Sequence, residues 1–282
     1  HGEFPTTPSD PRVSAWGPGG WQFGADPQPI ATGDGGSPWP ALGDLLAQRW
    51  DVPIGLISVG WGGTYVDQWR PYGSSALYAR LLLALDTVGL QGARAILWHQ
   101  GESDASANTT ATAYANQLRE VIAASRVDGG WDIPWGVAQA AFLPGLEPSA
   151  LQAITDGQQA VVDADPLVFA GANTEDLLGS DWRYDEVHFN LAGLQEHAQR
   201  WSDAIELPVN AQEPEQEQDP ENEQGETTNP DESEQQNPED DECPNQDAES
   251  GGCQSTTASS TSIALLFILL LPMVIHRRLT PN

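Results

Sequence analysis

Two rhythms alternate along the chain from residue 38 to residue 205. Short uninterrupted apolar runs, VPIGLISVG (52–60), ARAILWHQ (93–100), WGVAQAAF (135–142) and LVFAG (167–171), read as buried strands. Between them, apolar residues recur every three or four positions, which is the spacing of a helix with one buried face. This pattern predicts helices over 38–50, 74–89, 110–126, 148–165 and 190–205. Strands that are apolar throughout and alternate with helices predict a parallel sheet covered on both faces. In open sheets of that kind, ligands bind beyond the carboxyl ends of the strands. Residues 1–37, rich in Gly, Pro and Asp and carrying Trp16 and Trp21, read as irregular loop.

The rhythm stops after residue 208. Residues 209–255 hold 16 acidic residues and no basic one among 209–249, with almost nothing apolar. Such a segment cannot bury enough surface to offset its chain entropy, so it is expected to be a disordered, charge-extended linker. The final segment, 256–282, contains the apolar run Ile263–Ile275 followed by His276, Arg277 and Arg278. As a helix, 13 residues span about 20 Å, short of a hydrocarbon core of roughly 30 Å. Small residues from Thr256 onward extend the run to a marginal span, with the Arg pair as its cytoplasmic stop. Two readings stand: a plain single-pass anchor, or a sorting tail of the kind that some surface-anchored bacterial proteins resemble, with Cys253 after Gly251-Gly252. Either places the globular part outside the cell, exported and attached to a membrane. The chain begins at His1 with no export signal, so it is expected to be incomplete at that end.

The net charge is −30 and there is no Lys. Nine Arg stand against 25 acids in residues 1–208. Nucleic-acid binding is excluded on this basis, because phosphate contacts need Lys and Arg to displace counterions. Both cysteines, Cys243 and Cys253, lie outside the globular part, so no disulfide framework holds it.

Three blocks carry chemistry. VGWGGTYVDQW (59–69) follows a strand and offers the backbone of Gly62 and Gly63 to a ligand. WHQGESD (98–104) places His99, Gln100, Glu102 and Asp104 where the next strand ends. YDEVHFN (184–190) sets Asp185 three residues before His188, so that the acid can hold the imidazole in one tautomer. Taken singly, each also has a structural explanation: a tight turn, satisfied polar groups at a strand end, a chance Asp-x-x-His. His99 and Glu102 have no third ligand at metal-binding spacing, and no metal site or cofactor is expected. His197 and His276 read as structural.

Together and in this order, the blocks resemble the SGNH-type carbohydrate esterases, nearest the sialate O-acetylesterases and related acetylxylan esterases. The resemblance covers residues 38–205, within a domain expected to span 1–208. It implies a three-layer α/β/α sandwich with a flavodoxin-like parallel sheet, and removal of acetyl groups from an acetylated carbohydrate without cofactor or protein partner. By this resemblance His188 is the general base and Asp185 its orienting acid, with Gly62, Gly63 and the Gln100 side chain as oxyanion donors. Glu102 either braces its loop or shares the task of Asp185, and His99 and Trp98 pack behind the site. The family's nucleophile is the Ser of a Gly-Gln-Ser-Asn block after the first strand. No such block occurs here, and Ser58, Ser74, Ser75 and Ser103 stand in no matching motif. The nucleophile and the first strand are therefore expected to be missing, and the chain as written inactive. The alternative is a non-catalytic surface protein that binds carbohydrate through some of its eleven Trp residues.

Overall fold

A computed structural model of the chain describes residues 3–206 and 265–270. Its sheet opens with a hairpin, β1 (Val13–Gly17) and β2 (Gly20–Phe23), in the region expected to be loop. Val13 and Ala15 point into the core, and the hairpin turns through Gly20 at φ 97° with Trp16 opposite Trp21. The alternation of buried and half-buried positions in VSAWG is the period of a strand, and the surrounding Gly and Pro belong to its turn.

The remaining strands follow the apolar runs. They are β3 (Ile54–Ser58), β4 (Ala95–Trp98), β5 (Trp135–Gln139) and β6 (Val168–Asn173), all parallel. The helices are α1 (Trp39–Trp50), α2 (Tyr78–Val88), α3 (Glu102–Ser106), α4 (Ala111–Gly129), α5 (Pro148–Ala164) and α6 (Leu191–Ala204). Their ends carry the chemistry that stops helices. Thr110 accepts from the Ala113 N–H at the start of α4, and Gly130 at φ 78° ends it. Proline occupies the first turn of α1 and α5, where no backbone donor is lost. Helices α1 and α6 pack on each other; α4 packs against both α2 and α5. The core includes Trp69, Trp98 and Trp135 in a chain of edge-on and tilted contacts about 6 Å apart.

The sheet order is β2-β1-β3-β7-β4-β5-β6. Strand β7 is Leu265–Leu270, parallel to β3 on one side and β4 on the other, with Leu269 opposite both Ser58 and Leu97. In a flavodoxin-like sheet of order 2-1-3-4-5, the place between those neighbours belongs to the chain's first strand. Here its last described strand holds it. This corrects the expectation of a membrane-spanning helix for that segment: six of its residues form a central strand, and no helix among the described residues is long and apolar enough to cross a membrane. The physical reason is that a short apolar run satisfies its backbone equally well as helix or as buried strand, and its pattern does not distinguish them. A gap between two parallel strands supplies the ladder partners. The expected linker over 209–255 and both cysteines lie outside the described residues.

Candidate active site

The loops that follow β4, β5 and β6 reach a cavity of about 110 Å³ at the carboxyl edge of the sheet. His99 and Glu102 come from the loop after β4, Phe142 from that after β5, and Arg183 and His188 from the long connection after β6. The segment 31–39, leading into α1, closes the opposite wall.

His188 sits on a turn built by Asp185. One carboxylate oxygen, Oδ1, accepts from the backbone N–H groups of Val187 (3.1 Å) and His188 (2.6 Å). The other, Oδ2, accepts from His188 Nδ1 at 2.5 Å. Burial raises the Asp185 pKa, but the bonds from the His188 backbone and ring outweigh it and hold the carboxyl below its usual range. An ionised carboxylate there fixes the proton on Nδ1 and leaves Nε2 as the basic nitrogen. The turn is held at both ends: Tyr184 N–H donates to His188 O, and Arg183 pairs with Phe189 as a bridge. Asn190 then caps α6 by accepting from the Gly193 N–H, while its amide donates to Ser180 O and Asp181 O. The Asp-x-x-His-x-Asn spacing thus combines a base, its orienting acid and the cap that anchors both. Tyr184 stacks on the imidazole with rings 27° apart.

The block after β4 divides into two roles. Gln100 is buried; its amide nitrogen donates to Thr64 O (3.1 Å) and Asp104 Oδ2 (2.6 Å). Asp104 also accepts from the Val66 N–H and the Thr109 hydroxyl, so this pair ties the loop after β3 to the loop after β4. Gly62 N–H donates to Thr32 Oγ1 at 2.7 Å, and Gly63 turns the chain at φ 68°. Gln100, Gly62 and Gly63 stand outside the cavity wall, and an oxyanion role for any donor already bonded requires that bond to open. Glu102 does line the cavity, with Oε2 accepting from the Gly101 N–H and Oε1 3.7 Å from His99 Nε2. Burial, reinforced by the Glu175 charge and opposed by Arg183, pushes the Glu102 pKa up to about 7. Burial, with the Arg183 charge, pushes His99 down to about 3, so its ring is neutral at physiological pH. It is Asp185, not Glu102, that bonds His188.

Three cavity residues escaped the sequence reading. Arg183 is buried, donates to Leu177 O and Val187 O, and lies over the rings of Phe189 (4.2 Å) and Phe142 (4.9 Å). His197, read as structural, accepts from Trp201 Nε1–H and lies 4.5 Å from the His99 ring on the cavity wall. Ser37 also lines the wall, with its hydroxyl 2.5 Å from Asp26 Oδ1 and its N–H on Oδ2. The chain gives no local signal for these: Ser37 and Arg183 lie in connections whose path only the fold defines, and His197 on α6 meets the site only through packing. Among the described residues, no group of three or more His, Cys, Asp or Glu could hold a metal ion.

Residues 32–206 match the family of sialic acid-specific acetylesterase carbohydrate esterases. The chain belongs to this family. An Arabidopsis thaliana protein solved by X-ray crystallography shares the fold at a TM-score of 0.57 and 21% identity, covering 69% of this chain and 80% of that one. No curated protein matches the chain. The matched region contains all three blocks and every cavity residue except Glu3, Gln28 and Ala31.

Proposed function

We propose that this esterase removes O-acetyl groups from carbohydrate by serine chemistry in which His188 is the general base. The observation that carries the reading is the His188–Asp185 pair, fixed in one tautomer on the wall of a cavity at the carboxyl edge of the sheet. His188 Nε2 would take the proton of an attacking serine hydroxyl, giving a tetrahedral intermediate, then an acetyl-enzyme. It would return that proton to the departing sugar hydroxyl and afterwards activate the water that releases acetate. Gly62, Gly63 and Gln100 are proposed as the scaffold of the oxyanion pocket, with Glu102 as a brace that carries a proton near neutral pH. The two packed groups of helices support a three-layer arrangement around the sheet.

The 282 residues hold no Gly-Gln-Ser-Asn block, and the hydroxyl of the cavity's Ser37 is bonded to Asp26. The chain as written is therefore proposed to bind acetylated glycan without turning it over. We place the domain at 1–208, completed by the strand Leu265–Leu270, in an exported protein that works outside the cell. The test is hydrolysis of p-nitrophenyl acetate and of acetylated xylan. The 282-residue chain should release no acetate, and a chain carrying an added Gly-Gln-Ser-Asn block should release it and lose that activity on His188→Ala. Release by the block-bearing chain that survives His188→Ala would refute the assignment.

A further inference from the structure

We propose that Trp61 is the stacking platform of a subsite for a neutral pyranose ring at the rim of the cavity, an inference that rests on the carbohydrate esterase reading. Trp39, Trp69, Trp98, Trp135 and Trp201 are fully buried, whereas the Trp61 side chain is 43% exposed. One face of its indole is covered: the Arg80 guanidinium lies 4.7 Å from the ring centroid. Arg80 is itself immobilised, donating to Val59 O and Ile30 O. The ring is therefore held in one orientation with its other face toward solvent, and little freedom remains to be lost when a ligand settles on it. No group among the described residues accepts from the Trp61 Nε1–H, which leaves it available to a sugar hydroxyl at the ring edge.

Its position ties it to the cavity. Gly60 O, immediately before Trp61, accepts from the Thr32 N–H, and Gly62 N–H, immediately after, donates to Thr32 Oγ1. Thr32 is part of the cavity wall. Trp61 is thus clamped between two bonds to a residue that faces the catalytic space, with its own carbonyl accepting from the Thr64 hydroxyl. A pyranose presents C–H groups on one face and hydroxyls around its edge, which complements the electron-rich face and N–H edge of an indole.

The electrostatics select a neutral ring over an acidic one. Arg183 is the cation on the cavity wall, but its guanidinium is engaged by Leu177 O and Val187 O and covered by two aromatic rings. The carboxylates of Glu175 and Asp185 act on it from around the site, so no free positive charge awaits a sugar carboxylate. The chain's net charge of −30 adds a long-range repulsion toward anions.

The experiment is isothermal titration calorimetry of the 282-residue chain with acetylated xylotetraose, deacetylated xylotetraose and 3′-sialyllactose. Both xylotetraoses should bind and sialyllactose should not. Trp61→Ala should weaken xylotetraose binding at least about tenfold, the scale set by removing an aromatic anchor from a binding surface. Trp61→Phe, which keeps a face, should retain most of the affinity and shows that loss in the alanine variant is not misfolding. Trp21→Ala is the control: this residue is 49% exposed but lies on the edge strand β2, away from the cavity. Binding that is unchanged in Trp61→Ala, binding of sialyllactose alone, or no binding at all would overturn the proposal. Trp61-dependent binding by a protein that cleaves no acetyl ester even when it carries the added Gly-Gln-Ser-Asn block would leave the platform standing and remove the esterase reading. Ester cleavage with glycan affinity indifferent to Trp61 would do the reverse.

Discussion

Replacing Glu102 with Gln should change stability in a way that depends on pH, and the structure gives the size. Burial pushes the Glu102 pKa from 4.5 to about 7, so the folded state resists ionisation that the unfolded chain undergoes freely. A raised folded pKa means that the favourable contribution is complete below the unfolded value and is lost as pH rises through the folded one. The whole shift corresponds to about 3 kcal/mol, at about 1.4 kcal/mol per unit, as an upper bound for a side chain that touches the cavity. Worked through the two titrations, wild type should be disfavoured relative to a neutral residue by about 0.8 kcal/mol at pH 5 and about 3 kcal/mol at pH 8. Glu102→Gln keeps an acceptor for the Gly101 N–H and cannot ionise. Urea unfolding of both proteins at pH 5 and pH 8 isolates the effect, because every other acid in this acidic chain titrates identically in the two. The variant should gain about 2 kcal/mol more at pH 8 than at pH 5. A stability difference that stays constant between those values would refute the burial argument for Glu102.

Other expectations follow from single contacts. Asp185→Asn keeps the shape of the turn but favours the wrong imidazole tautomer, and kcat of a catalytically complete chain should fall by about four orders of magnitude on p-nitrophenyl acetate. Gly101→Ala would place a Cβ 1.8 Å from Ala140 O and 2.7 Å from Gln158 Nε2; chemical denaturation should show a loss of about 2 kcal/mol or more. Ile268→Pro removes a ladder donor from the strand that pairs with Ile57 and Ile96, and the thermal midpoint should drop by many degrees; an unchanged midpoint would show that this segment is not in the sheet centre.

The alternation of apolar runs and helical spacing made four of the strands and five of the helices legible, because parallel strands buried on both faces have no polar positions to confuse the pattern. The hairpin was hidden by its own turn: Gly17, Pro18, Gly19 and Gly20 made the whole N-terminal region look irregular, although Val13 and Ala15 already alternate. Strand β7 was hidden for a different reason, since a run of leucines carries no period at all. In the site, Asp185 and His188 were readable because their roles depend on a spacing of three residues within one turn. Gln100 and Gly62 were readable as polar or flexible positions, but where their donors go depends on Thr64, Asp104 and Thr32, each on another loop. Arg183 and His197 meet His99 only through tertiary packing, which no local pattern encodes.

The central place of β7 sets the order in which this protein can be finished. Strands β3 and β4 leave the ribosome early, yet the strand that joins them is synthesised about 170 residues or more after β4, so the middle of the sheet closes only through a pairing of very high contact order. Until then the two flanking strands present unpaired edges to each other and to any passing chain. Translation speed over the acidic segment therefore sets how long the nascent chain must be shielded, and a stall before residue 265 would release two half-sheets rather than one domain.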